Sequence, residues 1–445
     1  MNIILLSGGS GKRLWPLSND IRSKQFIRLF QREDGSYESM VQRVYRQIRE
    51  VDPQACVTIA TSRTQVSAIH NQLGDSVGIS IEPCRRDTFP AIALACSYLH
   101  DKKGIAADEP VVICPVDPYV NRDYFESLKE LARLAAQGKA NLTLLGIEPS
   151  YPSEKYGYMI PEDAAAVSRV RTYREKPDKK TAEEYIGQGG LWNGGVFACR
   201  LGYVLEKAHE TISFTGYEEL YEKYETLPKI SFDYAVAEQE SEIQVMRFGG
   251  QWKDLGTWNT LTEEMSEPVI GQAMQNENCE NVSVINELNV PILCMGLKNI
   301  IVSAGPDGIL VSDREQSSYI KPFVDQIEQR VMFAEKSWGS FAIKDVEENS
   351  LTIKVTLNPG HGMNYHSHDN RDEVWTVIAG RGRAVIDGEE RAVKSGDVIR
   401  MPAGCRHTIY AQTELKLIEV QMGSEISVHD KRKYPLPDFP EETSK

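Results

Sequence analysis

The sequence lacks several features that would each place it in a particular class of protein. No apolar run approaches the roughly 18 residues of a membrane span. The eight scattered cysteines include no CxxC pair, which excludes a disulfide framework and a zinc knuckle. The formal charge of −14 leaves no excess of cations for nucleic acid or a membrane surface, so we expect neither as a partner. The start, MNIILLSGG, resembles no signal peptide, and we expect a cytoplasmic protein with reduced thiols.

What the sequence does contain is an ordinary globular composition with unevenly placed histidines. Hydrophobic residues make up 41% of the chain and charged residues 26%, as in folded domains. The length of 445 residues predicts two to three domains. Five of the eight histidines fall in the last quarter of the chain, which indicates two chemically different parts; they are His361, His366, His368, His407 and His429.

The order of apolar segments predicts three parts. Strand-like and helix-like segments alternate over residues 1–265, which predicts an α/β domain with a Rossmann-like, mostly parallel sheet and a ligand at the carboxyl ends of its strands. Short β-branched runs in 266–335 predict a β-solenoid-like segment, followed by a connecting helix at 326–335. Strands joined by glycine-rich turns in 336–445 predict an antiparallel β-barrel.

The segment LLSGGSGKRLWPLSNDIRSKQF, residues 5–26, carries the strongest chemical signal. A strand leads into Gly8, Gly9 and Gly11, where the absence of Cβ atoms lets backbone N–H groups approach phosphates. Cationic side chains follow on the same loop. The segment has neither the GK[ST] of a Walker loop nor the GxGxxG of a dinucleotide site. It therefore indicates a different kind of triphosphate-binding loop.

The whole segment resembles the signature of the sugar-1-phosphate nucleotidyltransferases, in particular the mannose-1-phosphate guanylyltransferase family. Further blocks that are similar to the family follow in order over most of residues 1–260: EPCRRDTFPAIALA, CPVDPYV, YGYM, REKPD, WNGGVFAC, SFDYAVAE and WKDLGTW. The resemblance implies that a sugar 1-phosphate attacks the α-phosphorus of GTP in line and releases pyrophosphate. It also implies Mg²⁺ as a cofactor and a homodimer.

The resemblance assigns a role to each matching residue. Triphosphate and sugar phosphate would be held by Arg13, Lys24 and Lys176, which we take as the catalytic residues. Mg²⁺ would be held by Asp117 and Asp254. The nucleotide would contact Leu6, Gly8, Gly9, Gly11, Lys12, Glu82, Pro83 and Arg86. The sugar would contact Gly157, Glu175, Asn193 and Gly194.

Several positions depart from the family pattern near the nucleoside and the metal. Lys12 stands where the family has Thr, and Ser23 where it has Pro. Asp87 replaces the usual Asn, and Pro118 replaces the His after the metal-binding Asp. These differences leave the nucleobase open, so CTP remains an alternative to GTP.

The stretch MNYHSHDNRDEVW, residues 363–375, predicts a second site. His366 and His368 lie on one face of a strand, because side chains alternate along it. The turn-prone DNRD brings in Glu373, and His407 arrives on a separate strand. This is the cupin metal pattern, and three imidazoles with one carboxylate suit Zn²⁺, Fe²⁺, Mn²⁺, Co²⁺ or Ni²⁺.

The order of the three parts resembles the bifunctional mannose-1-phosphate guanylyltransferase/type II phosphomannose isomerase family over the whole chain. That family has Gln-x-His where this sequence has His366 and His368, and a Gly-Arg that does not follow Tyr434 here. Three hypotheses stay open: a transferase alone, an enzyme that also interconverts mannose 6-phosphate and fructose 6-phosphate, and a cupin that only binds a sugar or supports oligomerisation.

Overall fold

The computed structural model describes residues 1–9, 12–19, 21–328, 330–427 and 429–435. Its chain divides into two compact units. Unit 1 comprises residues 1–14, 23–268 and 313–321, and unit 2 comprises residues 15–22, 269–312 and the described residues from 322 onward. The sequence predicts three parts, with boundaries at residues 265 and 335, and that division stays a prediction because the two units do not test it.

Unit 1 is built on a nine-stranded mixed sheet with the order β5-β4-β1-β6-β11-β8-β12-β10-β9. Only β10 and β11 run against the other seven strands, which confirms the predicted α/β architecture with a mostly parallel sheet. The strands of the unit are β1 (Asn2–Leu6), β2 (Arg28–Gln31), β3 (Tyr37–Ser39), β4 (Cys56–Ser62), β5 (Gly78–Glu82), β6 (Pro110–Pro115), β7 (Pro118–Val120), β8 (Leu142–Ile147), β9 (Gly157–Pro161), β10 (Val167–Arg174), β11 (Leu191–Arg200), β12 (Ile243–Phe248) and β13 (Trp252–Asp254).

Helices cover both faces of this sheet. Ile113 packs in one buried cluster with Ile92 of α3, whereas the neighbouring Cys114 contacts Tyr124 of α4 at 4.0 Å. Successive strand residues point to opposite faces, so α3 and α4 lie on different sides. The helices are α1 (Met40–Val51), α2 (Val66–Leu73), α3 (Thr88–Lys103), α4 (Arg122–Gln137), α5 (Lys179–Gly187), α6 (Leu201–Thr211), α7 (Tyr217–Glu222) and α8 (Trp258–Glu263). None of the described helices is long and apolar enough to cross a bilayer.

Unit 2 begins with a small solenoid-like array of strands. Strands β14, β16 and β18 form parallel pairs one rung apart, as do β15 and β17. Cysteine and valine side chains fill the space between the rungs. The elements are β14 (Val269–Ile270), β15 (Ala273–Gln275), β16 (Ser283–Asn286), β17 (Ile292–Cys294), β18 (Ile300–Gly305), β19 (Gly308–Asp313) and, at its end, the one-turn helix α9 (Lys321–Val324).

The prediction of a connecting helix at 326–335 is wrong. The short helix α9 ends at Val324, and Phe333–Lys336 is a strand that pairs antiparallel with Gly339–Ala342. Glu, Gln and Arg in this stretch favour a helix in isolation, but pairing with a neighbouring strand overrides such weak local preferences. Burial of Ala334 fixes which face of the strand points inward.

The C-terminal part of unit 2 is a barrel of two sheets, as predicted. The six-stranded sheet has the order β20-β21-β22-β29-β24-β27, and the five-stranded sheet the order β26-β25-β28-β23-β30. One core joins them, with Trp375 and Leu417 from the first sheet and Ile409 from the second. The strands are β20 (Phe333–Lys336), β21 (Gly339–Val346), β22 (Ser350–Leu357), β23 (His366–Ser367), β24 (Arg371–Ala379), β25 (Arg381–Ile386), β26 (Glu389–Lys394), β27 (Val398–Met401), β28 (His407–Ala411), β29 (Leu415–Gly423) and β30 (Arg432–Lys433).

Two glycines in this barrel provide a test of its packing. Gly380 and Gly388 both have positive φ, 80° and 88°. A Cβ at Gly380 would lie 2.0 Å from the Glu414 carbonyl oxygen, whereas one at Gly388 would meet nothing within 4 Å. Gly388→Ala should cost about 1–2 kcal/mol of unfolding free energy through backbone strain alone. Gly380→Ala should cost at least about 2 kcal/mol more, because the strand must shift. Chemical denaturation of the full chain measures both, and equal losses would contradict the packing seen at Gly380.

Candidate functional site

The glycine-rich segment after β1 forms one wall of a cleft at the carboxyl edge of the sheet. We call it the glycine-loop cleft; its volume is about 380 Å³, and Gly8, Gly9, Lys24, Glu82 and Asp117 contribute to its walls. Gly9 has φ of 107°, a conformation that side chains rarely adopt. Apart from chain neighbours, no atom of the described residues lies within 4 Å of a Cβ built at Gly8 or Gly9. The loop backbone is therefore open to a ligand as bulky as a phosphate.

Buried amides hold this loop in place from behind. The Gln25 amide donates to the Ser7 hydroxyl at 3.0 Å, and the Gln65 amide donates to the Ser23 hydroxyl at 2.5 Å. Ser23 in turn donates to the Gly9 carbonyl at 3.3 Å. Ser23, which departs from the family pattern, thus replaces a rigid proline with a hydrogen bond to the loop. A loop fixed by buried bonds binds a ligand with less loss of conformational entropy.

The EPCRR segment after β5 contributes one predicted side chain, Glu82, and one that was not predicted, Arg85. Glu82 lines the cleft, but the Tyr224 hydroxyl donates to its carboxylate at 2.8 Å. Arg86 donates to the Glu225 carbonyl and is absent from the cleft wall. The neighbouring Arg85 lines the cleft. The structure therefore brings a cation of this segment to the cleft wall one residue before the predicted one, and the nucleotide contact of Arg86 stays a prediction.

The other predicted nucleotide contacts are distributed unevenly. Leu6 lines the cleft. Pro83 is half-buried and does not form part of its wall, and neither do Lys12 and Arg13, which lie in a short 3-10 turn. Gly11 lies outside the described residues.

Lys24, Asp117 and Asp254 meet at the carboxyl end of β6. The Lys24 ammonium lies 2.7 Å from the Asp117 carboxylate. The antiparallel pairing of β7 with β13 places Asp254 opposite Pro118, next to Asp117 along the chain. Pairing of two short strands thus brings together acids that are far apart in sequence, as the metal prediction requires.

The pKa values show how these charges act on one another. Burial alone would raise the pKa of Asp117, but the Lys24 ammonium and the more distant Arg13 bring it below its usual value. Burial raises the pKa of Asp254, and repulsion by Asp117 adds to the increase. Burial opposes the charge of Lys24, yet Asp117 and Asp254 raise its pKa. The carboxylate oxygens of Asp117 and Asp254 are hard donors of the kind that Mg²⁺ prefers.

A second cleft adjoins the first. We call it the carboxylate cleft; its volume is about 230 Å³. Asp117 and Pro115 line both clefts, so the two meet at the end of β6. The structure brings all four predicted sugar contacts into its wall, together with Asp254: Gly157, Glu175, Asn193 and Gly194. A Cβ at Gly157 would lie 2.5 Å from the Glu175 carboxylate, so only glycine leaves that oxygen its place.

Asp233 also lines this cleft and was not predicted as a site residue. Its carboxylate accepts from the Asn193 amide at 2.7 Å and lies 3.2 Å from the Tyr173 hydroxyl, which is equally close to Glu175. One hydroxyl proton cannot serve both acids. Burial raises the pKa of Asp233 and, with repulsion by Asp233, that of Glu175. The block SFDYAVAE contained the signal, but its resemblance to the family did not single out the acid.

Lys176 occupies the edge of this group of acids. Its ammonium lies 2.6 Å from the Glu175 carboxylate, its side chain is 49% exposed, and it is absent from the walls of both clefts. Its φ of 45° is uncommon for a residue with a side chain. Backbone strain of this kind is frequent at functional sites. Burial opposes its charge, but the Glu175 carboxylate raises the pKa of Lys176, which keeps the side chain cationic.

The barrel of unit 2 contains the second predicted cluster. His366 on β23 is paired with His407 on β28, and a turn after His368 leads to Glu373 on β24. All four side chains are at most 3% exposed. One ligand atom from each lies within 4.8 Å of the others. The structure thus brings together the four residues that the sequence pattern selected.

The three imidazoles are oriented in the same way. Nδ1 of His366 donates to the Asn364 carbonyl at 2.5 Å, Nδ1 of His407 to the Cys405 carbonyl at 3.0 Å, and Nδ1 of His368 to the Asp430 carbonyl. A carbonyl can only accept, so each Nδ1 carries the proton and each Nε2 presents a lone pair. Histidines that bind a metal through one ring nitrogen usually donate a hydrogen bond from the other in this way.

The charges in the barrel favour a cation at this point. Burial, with nearby cationic groups, lowers the pKa of His366 to about 3, which keeps the ring neutral and able to bind a metal. The Glu373 carboxylate lies 3.0 Å from Nε2 of His368 and 3.2 Å from Nε2 of His407, so the ligand atoms of these side chains face one another. The buried Nε2 of His407 has no hydrogen-bond partner among the described residues. The residues therefore fit a transition-metal ion.

Other polar side chains surround the cluster. Arg371 donates to Glu373 at 3.0 Å and to Nε2 of His368 at 3.1 Å, and the Gln421 amide donates to Glu373 at 3.0 Å. Glu419 is buried, which together with the nearby Glu373 charge raises its pKa to about 8. No spacing rule in the sequence selected Glu419, because its strand carries an ordinary alternating pattern.

Known proteins resemble the chain at both sites. The Nucleotidyl transferase family model matches residues 2–268, and the Cupin domain model matches residues 353–421. A mannose-1-phosphate guanylyltransferase of Escherichia coli K12 is 28% identical and the xanthan biosynthesis protein XanB of Xanthomonas campestris pv. campestris B100 is 29% identical; each match covers 96% of both chains. A Thermus thermophilus structure described as a mannose-1-phosphate geranyltransferase superposes with a TM-score of 0.61 at 27% identity, over 73% of this chain and 98% of that one.

The match of the Nucleotidyl transferase model covers more than half of the chain and includes both clefts of unit 1. The cupin match includes all four members of the barrel cluster. The chain belongs to the nucleotidyl transferase family, carries a cupin domain in its C-terminal part, and is an enzyme of the nucleotidyltransferase class.

Proposed function

We propose that the enzyme joins mannose 1-phosphate to GTP, forming GDP-mannose and pyrophosphate. The observation that carries this proposal is the junction of the two clefts at Asp117, where Lys24 and Asp254 also lie. Two substrates bound in adjoining clefts would present their phosphates to each other at this point. The choice of guanine and mannose rests on the names of relatives such as the mannose-1-phosphate guanylyltransferase of Escherichia coli K12.

The glycine-loop cleft is the place for the triphosphate. Backbone N–H groups of Gly8 and Gly9 can donate to phosphate oxygens, because no side chain obstructs them. Lys24 and Arg85 supply cationic charge from the cleft wall. A nucleoside triphosphate carries roughly four negative charges, so such cations stabilise both the bound nucleotide and the developing pyrophosphate.

The carboxylate cleft is the place for the sugar phosphate. Glu175 and Asp233 can accept hydrogen bonds from sugar hydroxyls, and the Asn193 amide limits where those hydroxyls fit. Lys176 would exchange its bond to Glu175 for one to the sugar phosphate, which needs only a rotation of its long side chain. The phosphate oxygen would then attack the α-phosphorus in line, with pyrophosphate leaving on the opposite side.

Asp117 and Asp254 would hold Mg²⁺ in this arrangement. The ion would supply positive charge where the phosphates of both substrates converge. Lys24 keeps Asp117 ionised and therefore ready to bind a cation. No protein nucleophile takes part, so the contribution of the chain is positioning and charge neutralisation.

One assay tests the substrate assignment directly. The purified enzyme is offered each of the four common nucleoside triphosphates with a panel of sugar 1-phosphates and Mg²⁺, and pyrophosphate release is measured. We expect the highest kcat/KM for GTP with mannose 1-phosphate. Preference for CTP would overturn the guanine assignment, and no release with any pair would overturn the transferase proposal itself.

Removing the charge of Asp117 tests the junction. Asp117→Asn should lower kcat by at least about 100-fold, because one oxygen ligand loses its charge where the transition state is most anionic. The matched control is Asp108→Asn, at an exposed position outside both clefts. Steady-state pyrophosphate release measures both variants. Equal activities of the two would show that Asp117 is not part of the machinery.

Removing the charge of Lys176 tests the assignment of the two clefts. Lys176→Met should reduce kcat/KM for mannose 1-phosphate by about 100-fold, while the KM for GTP changes little, since a charge-assisted phosphate contact contributes about 2–3 kcal/mol. Lys179→Met, an exposed lysine at the start of α5, is the control. A large rise in the KM for GTP alone would place Lys176 on the other substrate.

We also propose that the barrel cluster binds one divalent transition-metal ion through His366, His368, Glu373 and His407. The lone pairs of three oriented imidazoles and a buried carboxylate support this proposal. Two uses remain for the ion. It could polarise a sugar carbonyl during aldose–ketose isomerisation, or it could hold a ligand or the fold without turnover.

Metal content tests the cluster. His366→Ala should lose most of the bound metal after equilibration with a chelator, because it removes one of three imidazole ligands. His361→Ala is the control, since His361 is exposed and its Nδ1 bonds only to the Pro359 carbonyl at 2.9 Å. Elemental analysis measures both. The same metal content in the two variants would contradict the proposed ligand set.

The two uses of the ion are separated by a second assay. The metal-loaded enzyme is offered mannose 6-phosphate, and formation of fructose 6-phosphate is followed. Conversion that is lost in His368→Ala and kept in Lys176→Ala would establish a separate isomerase site. Metal binding without conversion would favour a binding or structural role for the barrel.

A further inference from the structure

The last described residues of the chain run along the strand that carries the metal-ligand histidines. We call His429–Pro435 the terminal strap. Its strand β30 pairs antiparallel with β23, with Lys433 opposite His366 and Arg432 opposite Ser367. β23 is paired on its other side with β28. Without the terminal strap, β23 would be an exposed edge with unpaired backbone groups.

Asp430 of the terminal strap makes two kinds of contact with the metal cluster. Its backbone carbonyl accepts the Nδ1 proton of His368. Its carboxylate accepts from the backbone N–H of Asp369 at 2.8 Å and of Asn370 at 3.1 Å, in the turn between His368 and Glu373. Asp430 therefore fixes both the ring of His368 and the turn that leads from His368 to Glu373.

Tyr434 anchors the far end of the terminal strap. Its hydroxyl lies 3.0 Å from the Ser367 hydroxyl, and its backbone N–H donates to the Tyr365 carbonyl at 2.9 Å. The Arg406 guanidinium lies 4.3 Å from the centre of its ring, a cation–π distance. Both ends of the segment are thus attached to residues that flank His366 and His407.

The three imidazoles differ in where their acceptors come from. The carbonyls that orient His366 and His407 belong to residues two positions away in the chain. The carbonyl that orients His368 comes from a residue 62 positions away. Two of the imidazoles are therefore oriented by carbonyls next to them in the chain, whereas the carbonyl that orients the third belongs to the terminal strap.

We propose that Asp430 is a positioning residue for the barrel metal, and that docking of the terminal strap sets how tightly the metal is held. The proposal rests on the metal centre proposed above. When the terminal strap is docked, His368 presents Nε2 to the cluster. When it is not, the His368 ring can rotate and the turn to Glu373 loses its carboxylate cap. Two oriented imidazoles then remain, and the ion dissociates faster.

The test uses the full chain with Co²⁺ as the probe ion. The dissociation constant is measured by competition with a chelator, and the visible absorption of bound Co²⁺ reports its coordination. Asp430→Ala keeps the backbone carbonyl that accepts from His368 but removes both carboxylate caps that dock the terminal strap on the turn, while Asp430→Asn keeps one acceptor oxygen. The matched control is Asp397→Ala, because Asp397 also caps a backbone N–H, that of Lys394 at 2.8 Å, in a turn of the barrel away from the ligand residues. Thermal unfolding of all variants is recorded alongside.

Asp430→Ala should weaken Co²⁺ binding by about 10–100-fold and change its absorption spectrum, because the turn to Glu373 and the position of the Asp430 carbonyl against His368 are then no longer fixed by the carboxylate. Asp430→Asn should recover part of the affinity, and Asp397→Ala should bind like the unmodified protein even where it lowers the unfolding temperature equally. An unchanged Co²⁺ affinity in Asp430→Ala would overturn the proposed role of Asp430. Equal losses of affinity in Asp430→Ala and Asp397→Ala would do the same, and neither result would contradict the metal centre itself. Absence of Co²⁺ binding in the unmodified protein would overturn the metal centre, and the strap proposal with it.

Discussion

The ion pair between Lys24 and Asp117 is the interaction on which the site in unit 1 depends. It ties the segment after the glycine-rich loop to the end of β6, the strand next to β1 in the sheet. It also offsets part of the repulsion between Asp117 and Asp254, which the pairing of β7 with β13 holds close together. Both acids are half-buried, with 38% of the Asp117 side chain exposed, so water screens the part of their repulsion that Lys24 does not offset. The same positive charge that stabilises these acids is the charge a triphosphate needs.

The two pairs of acids in unit 1 differ in a way that separates their roles. In the first pair, burial is outweighed at Asp117 by Lys24, so one pKa is lowered while that of Asp254 is raised. In the second pair, burial raises the pKa of both Glu175 and Asp233, which lie near one shared tyrosine hydroxyl. A pair in which one pKa is lowered suits a divalent cation, whereas a pair in which burial raises both pKa values suits neutral hydroxyl groups. Environment thus distinguishes acids that the sequence shows as equals.

Strand patterns and ordered motifs were enough to predict the architecture and the central charges. Lys24, Asp117 and Asp254 were selected through the resemblance of their motifs to a family, and the structure brings Lys24 against Asp117 and Asp254 beside it, while their roles stay predictions. No motif distinguished Arg85 from Arg86, because the two are adjacent and only the folded chain shows that Arg85 lines the cleft. The strand at Phe333–Lys336 was missed because its partner strand, and not its own composition, determines its conformation.

The barrel shows where such reasoning stops. Ligand residues have characteristic spacings because they must reach one point from adjacent strands, so four of them can be read from the sequence. The groups that orient ligands have no such constraint: a backbone carbonyl from any residue type serves, and Asp430 carries no motif. Whether such a site binds tightly depends on contacts like those of the terminal strap, which only the folded chain brings into place.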